Sequence, residues 1–285
     1  MSNYKPVKHA YDIHEPDGGA DSSLPPVIFL HGVIASKETW KDMPQQVANK
    51  TKRKVYNVDL RNHGDTEWSD DFDLVILKKD LLHFMETVNC PKATILGHSV
   101  GAIAAILAAL ENSDKIEKIV IDEMRVSKLD RSAAAFTSAF ATFAPKALPK
   151  IPKDADEGEA ASIVIKTVCD ALPSESVKKN RIDELDKTAL GLRKKPDGSY
   201  EFKANLENLA DLAKNVEKVL VEPEGLFNGP ALFIYGDQSS FQVGNDKDRI
   251  KQHFPNAEFV EMTAGGHYIH HEKPKEFMDA VLNFI

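Results

Sequence analysis

The chain has 285 residues, of which 42% are hydrophobic and 28% charged, with a formal net charge of −8. That length and balance describe one large globular domain or two small ones, and the acidic surplus excludes nucleic acid as a partner, since a nucleic-acid binder needs a basic face. Two cysteines, Cys90 and Cys169, are too few for a disulfide framework and read as free thiols, and no run approaches the apolar length of a bilayer span.

The opening Met1-Ser2-Asn3-Tyr4-Lys5-Pro6 has neither an apolar signal core nor an Arg-rich amphipathic leader. Val7 to Ile13 reads as an edge strand, and Glu15 to Pro26, rich in Gly, Pro, Asp and Ser, as a turn. Val27-Ile28-Phe29-Leu30 is apolar throughout, as a strand buried on both faces should be, and leads into His31-Gly32-Val33-Ile34. Trp40 to Lys50 predicts a helix, Lys54 to Leu60 a strand, and Arg61-Asn62-His63-Gly64-Asp65 a polar loop. Leu74 to Val88 carries apolar residues at helical spacing. Ala93 to Leu96 predicts a strand, Ala102 to Leu110 a buried helix, and Ile116 to Ile121 a further strand ending at Asp122-Glu123.

Strands alternating with helices, most strands apolar throughout, predict a parallel sheet covered on both faces. The alternation stops for about a hundred residues, where helical patterns recur at Ser132 to Phe143, Ala160 to Ala171, Ser174 to Leu192 and Asn205 to Val219. Lys195 to Tyr200 predicts a turn leading into a short extended piece. This block, residues 126–228, is expected to be a helical cap inserted into a core formed by residues 1–125 and 229–285. The alternation resumes with strands at Ala231 to Tyr235 and Glu258 to Met262, a helix near Asp246 to His253, and a closing helix from Pro274 to Ile285.

Between the Ala93 strand and the Ala102 helix stands Gly97-His98-Ser99-Val100-Gly101. A Gly-x-Ser-x-Gly in a strand–turn–helix setting is the nucleophile-elbow pattern, in which residues without side chains flank a sharp turn that lifts the serine hydroxyl above the sheet edge. Ser99 is therefore the candidate nucleophile. A serine hydroxyl needs a base, and His267, in a glycine-bearing loop after the last strand, is placed where a Ser–acid–His order requires it. His98 reads as loop-supporting. The acid has two eligible positions at strand ends: Asp122, the favoured one, and Asp237, with Glu123 or an acid of the insertion such as Glu207 as further possibilities. Backbone N–H groups of Val33 and Val100 are the expected oxyanion donors. Trp40 and Phe241 read as pocket walls or core. His267, His270 and His271 lack a carboxylate or Cys set spaced to complete a metal site, and no Gly-x-Gly-x-x-Gly or P-loop is present, so neither a metal nor a cofactor is expected.

These residues resemble the α/β-hydrolase superfamily, and within it the group of abhydrolase domain-containing protein eleven and related bacterial acyl esterases. The resemblance rests on His31-Gly32 with Ser36-Lys37, on Arg53 to Asp65, on Gly97-His98-Ser99, on Phe254 to Ala257 and on Gly266 to His270; it covers residues 25–125 and 228–285. It implies an α/β-hydrolase fold with a mostly parallel eight-stranded sheet, helices on both faces and a helical cap. It also implies a serine carboxylester hydrolase acting on a small acyl ester without a cofactor, with Ser99, His267 and Asp122 as its triad. Members of the group are often mitochondrial, so a cytoplasmic or mitochondrial location is expected. The chain departs from the pattern after Asp122, where Glu123-Met124-Arg125 replaces Ile/Val-Ser/Ala-Pro, and three residues beyond Gly236, where the fold usually carries its acid and this chain has Ser239. The Glu123-Met124-Arg125 departure leaves a second reading open, a ligand- or partner-binding protein that kept the fold.

Overall fold

Short apolar runs with β-branched residues cannot satisfy their backbone alone, so they pair side by side. In the computed structural model, which describes residues 4–127, 138–214 and 223–285, they do so as β1 (Tyr11–His14), β2 (Val27–Leu30), β3 (Val55–Val58), β4 (Ala93–His98), β5 (Ile116–Asp122), β6 (Leu192–Lys194), β7 (Tyr200–Phe202), β8 (Ala231–Gly236) and β9 (Ala257–Met262). Seven of them form one sheet in the order β1-β3-β2-β4-β5-β8-β9. All neighbours run parallel except the edge strand β1, which is antiparallel to β3. The sheet thus has seven strands among the described residues, not eight; seven is also the number of strand-like runs in the core sequence.

The helices are α1 (Met43–Thr51), α2 (Leu74–Thr87), α3 (Val100–Glu111), α4 (Glu157–Ala171), α5 (Ser174–Asn180), α6 (Leu206–Lys214), α7 (Lys247–His253), α8 (Ile269–Glu272) and α9 (Pro274–Phe284). Because side chains alternate across a strand, each fully buried strand feeds two cores. On one face Ile95, Ile119 and Ile121 pack with Leu77, Leu81 and Phe84 of α2 and the alanines of α3. On the other, Phe29, Leu96, Val120 and Ile234 pack with Val47 of α1 and with Phe277 and Val281 of α9. Trp40 is fully buried in this second core, edge-on to Phe29, so it is not a pocket wall. None of the helices among the described residues is long and apolar enough to cross a membrane.

The chain between β5 and β8 differs from its helical forecast. The helix from Ser174 stops at Asn180, because Arg181 takes a left-handed conformation with φ 49. Short 3-10 turns follow, and β6 and β7 close a hairpin whose turn is set by Asp197, which accepts from the Ser199 N–H and hydroxyl. Of the other forecast helices, residues 132–137 and 215–219 lie outside the described residues. Several contacts lay the described part over the loops that follow β2 and β3: Lys41 with Asp186, Lys203 with Glu38, Arg193 with Asp65, and Asn205 N–H on the Asn62 carbonyl.

Candidate active site

The strand β4 runs straight into α3 through Ser99, whose backbone sits at φ 52, ψ −117. That conformation is sparsely populated for a residue with a side chain and persists only where the surroundings fix it. Here they do: Ser99 N–H donates to the Asp122 carbonyl at 3.0 Å, and the Ser99 carbonyl accepts from Ile103 N–H at 3.1 Å. A Cβ at Gly97 would lie 2.5 Å from the Gly101 carbonyl oxygen, and one at Gly101 would lie 2.5 Å from that of Leu30, so the turn closes only with glycine at both places. Val100 opens α3, and an N–H in the first turn of a helix has no partner within it and carries the positive end of the helix dipole.

The loop after β2 comes up beside the serine. A Cβ built on Gly32 would lie 3.3 Å from Ser99 Cβ, so the Gly32 backbone and the elbow serine are neighbours. The turn closes through Ala35 N–H on the Gly32 carbonyl, with Ile34 held at φ 66. Under it lies a buried polar knot made of the Asp59–Asp65 segment. Asp59 accepts from Lys37 N–H at 2.7 Å, from Lys37 Nζ at 3.1 Å and from Asp65 N–H at 3.0 Å. His31 donates from Nδ1 to the Gly32 carbonyl at 2.8 Å and accepts from Leu60 N–H on Nε2 at 3.0 Å, which fixes one neutral tautomer. Burial holds its pKa down at about 4, in keeping with that state. His31 and His63 are thus loop supports, and the most family-like stretch of the sequence is scaffolding for the turn at Gly32.

His267 follows β9 and is 11% exposed. Its ring stacks on Phe241 at 4.0 Å between centroids and 10° between planes. Its backbone carbonyl accepts from His98 Nε2 at 3.0 Å, the supporting role expected of His98. Its Nδ1 lies 3.4 Å from Glu123 Oε2. The favoured acid, Asp122, is elsewhere: Asp122 Oδ2 lies 2.7 Å from His270 Nδ1, without the in-plane alignment of a hydrogen bond, in a fully buried setting. The reason is strand parity. Asp122 pairs with His98 across the parallel β4–β5 ladder and shares the face of Leu96 and Val120, where His270 packs against Trp40. Glu123 follows on the face of Ile119 and Ile121, turned beyond the strand end by φ 56. Asp237 and Glu207 are both exposed, unlike the buried Glu123.

Burial raises the Asp122 carboxyl, with the neighbouring Glu123 charge adding to it, and holds His270 down at about 3, so both favour their uncharged forms. His98, Asp122 and His270 bring potential ligand atoms within 4.8 Å of one another, but His98 Nε2 is already committed to the His267 carbonyl. Two further groups, Glu272 and Arg181, carry no signal in the sequence, and Ser239 shows there only as the residue standing where the fold usually has its acid. Glu272 accepts from Gly266 N–H at 2.8 Å and Tyr268 N–H at 3.3 Å, gripping the His267 loop from both sides, and Arg181 pairs with it at 3.0 Å. Ser239 donates to Glu123 Oε2 at 2.5 Å. A cavity of about 140 Å3 lies beside His267, lined by residues from Asn180 to Asp186 and by Tyr268, His271 and Glu272. The cysteines are both free, Cys90 buried and Cys169 partly so.

A strand–elbow–helix carrying a strained serine, on a mostly parallel sheet with helices on both faces, defines the alpha/beta hydrolases. The model of the Alpha/beta hydrolase family matches residues 27–280, and the chain belongs to that family. Among characterised relatives it is similar to sn-1-specific diacylglycerol lipase ABHD11 of Mus musculus, 26% identical over all of this chain and 87% of that one. It is also similar to Ethanol acetyltransferase 1 of Hanseniaspora uvarum, 27% identical over 98% of this chain and 86% of that one. Among solved structures, a marine microorganism esterase superposes with a TM-score of 0.76 at 23% identity, covering 98% of this chain and all of that one.

Proposed function

We propose that the protein is a serine carboxylester hydrolase working through Ser99, His267 and Glu123. The observation that carries this reading is the placement of His267 Nδ1 at 3.4 Å from the buried Glu123 carboxylate, in a chain whose elbow serine is held at φ 52. In the proposed cycle Ser99 Oγ attacks the acyl carbonyl while His267 Nε2 takes its proton, and Glu123 accepts the Nδ1 hydrogen and stabilises the imidazolium. The N–H groups of Val33 and Val100 hold the oxyanion. His267 then protonates the departing alkoxide, and a water deprotonated by His267 releases the acid from the acyl-enzyme. Residues 1–125 and 229–285 serve as the catalytic core in this reading, and residues 126–228 as a cap that selects the acyl ester.

The family names support ester chemistry but divide on the acceptor. A lipase sends the acyl group to water and an ethanol acetyltransferase sends it to an alcohol, and the same acyl-enzyme serves both. The test is fluorophosphonate labelling with turnover of p-nitrophenyl acetate and butyrate, with and without ethanol. The protein is expected to be labelled and to turn over ester, and Ser99→Ala to lose both. Ethyl ester among the products would favour the transferase branch. A folded wild-type protein that neither labels nor turns over would favour the binding-protein reading instead.

A further inference from the structure

We propose that Ser239 is a positioning residue that seats the acid of one strand in the place normally served from the next. This rests on the assignment of Glu123 to His267 given above. The Glu123 carboxylate leaves the end of β5 but is held in the turn after β8: Gly236 N–H donates to Oε1 at 2.5 Å and the Ser239 hydroxyl to Oε2 at 2.5 Å. The Glu123 N–H donates in turn to the Ile234 carbonyl at 3.0 Å. A Cβ at Gly236 would lie 2.1 Å from the Gly265 carbonyl oxygen, so this turn is packed directly on the loop that carries His267.

The hydroxyl has no freedom to do otherwise. Ser239 Oγ accepts from Phe241 N–H at 3.2 Å, which leaves its single hydrogen for the carboxylate. The same short turn therefore fixes the oxygen facing His267 Nδ1 and the Phe241 ring stacked on the imidazole. Ser239 also stands three residues beyond Gly236, where this fold usually carries its acid. An aspartate there would extend past the hydroxyl toward the space now filled by Glu123 Oε2. The two strand ends thus converge on one oxygen position, and the acid can be delivered from either.

The experiment compares kcat and KM for p-nitrophenyl butyrate in the intact chain, with melting curves to confirm folding. Ser239→Ala is expected to lower kcat about tenfold, the size of one hydrogen bond to a charged group, with KM within about twofold. Ser239→Thr, which keeps the hydroxyl, is expected to retain most of the wild-type kcat. Glu123→Ala is expected to lose about 10³-fold, and Glu123→Ala with Ser239→Asp to recover at least about 30-fold of it. Wild-type kcat in Ser239→Ala, equal losses in the Ala and Thr variants, or no recovery in a folded double variant would each overturn the proposal. If Glu123→Gln is inactive while Ser239→Ala is not impaired, only this proposal falls. If the wild type is not labelled by fluorophosphonate, the hydrolase reading falls with it.

Discussion

Replacing Glu123 with Gln and Asp122 with Asn separates two adjacent carboxylates, of which the sequence favours Asp122 as the acid and the geometry puts Glu123 beside His267. Glu123 is fully buried and receives three donors: Gly236 N–H, the Ser239 hydroxyl and His267 Nδ1, the last at 3.4 Å. A glutamine offers one acceptor oxygen and an NH2 group that cannot accept. With its oxygen retained by Gly236 N–H, the amide nitrogen faces Ser239 and His267. The imidazole then turns its bare nitrogen toward the amide and keeps its hydrogen on Nε2, the atom that must accept the serine proton. The corresponding tautomer error in a serine triad costs about 10⁴ in kcat, or about 5 kcal/mol of transition-state stabilisation. Because the 3.4 Å contact is long, about 10³ to 10⁴ is expected here. Asp122→Asn differs in kind. Burial already favours the neutral acid, so an amide of the same shape changes no charge, and the contact at risk is with His270. Its kcat is expected to stay within about tenfold, and its stability to fall by about 1–3 kcal/mol. Turnover of p-nitrophenyl butyrate by both variants, with thermal melts, decides the matter. A 10³-fold loss in Asp122→Asn beside near-wild-type Glu123→Gln would refute the parity argument.

Stability should fall on acidification below about pH 6. Burial depresses His31 to about 4 and His63 to about 3, so each binds a proton more readily unfolded than folded; the stability they favour is present above the unfolded value near 6.5 and is lost as pH drops toward their folded values, by up to about 1.4 kcal/mol per pH unit each. Melting temperatures at pH 7, 6, 5 and 4 check this, and a flat profile to pH 4 would contradict it. Asp80→Ala leaves the fully buried Arg61 without the carboxylate it contacts at 2.7 Å through both Nε and Nη2, and is expected to cost about 3–5 kcal/mol by urea unfolding. Glu272→Ala frees the Gly266 and Tyr268 N–H groups that fix the His267 loop, so kcat is expected to drop about tenfold with Ser99 still labelled, only more slowly; an unchanged labelling rate would show that the loop holds without it.

Much of this molecule is written in runs that have only one good solution. Val27–Leu30, Ala93–Leu96 and Ala231–Tyr235 read as buried strands, and Gly97 to Gly101 between strand and helix marks the place of the elbow serine. What the same runs conceal is parity. A strand buried on both faces has no alternation, so Ile116 to Ile121 identifies the strand but not which of its terminal carboxylates meets the histidine. Glu123 therefore read as a departure from a family pattern, when the register of His98 with Asp122 places the two acids on opposite faces. The break at Arg181 was invisible for another reason: a lone left-handed arginine has no local signal, and the helix ends through the contacts of its side chain with Glu184 and Glu272. Phe241 is open in the sequence to either wall or core, and its ring lies stacked on the imidazole of His267.

His267, the proposed base, is held by three separate grips, each from a different part of the chain. His98, on one face of the sheet, fixes the backbone carbonyl of His267. Glu123, on the other, faces its ring, and Glu272 secures the N–H groups on either side of it. A loop residue with a single anchor would rotate freely on the scale of an ångström, a displacement large enough to cost about two orders of magnitude in rate. The grips come from three different elements: β4, the turn after β5, and α8. Substitutions that loosen one should therefore lower kcat in steps, and only the ring contact should change which nitrogen carries the proton. In the proposed triad, that difference makes the Glu123 position the one whose loss is not offset by the other two.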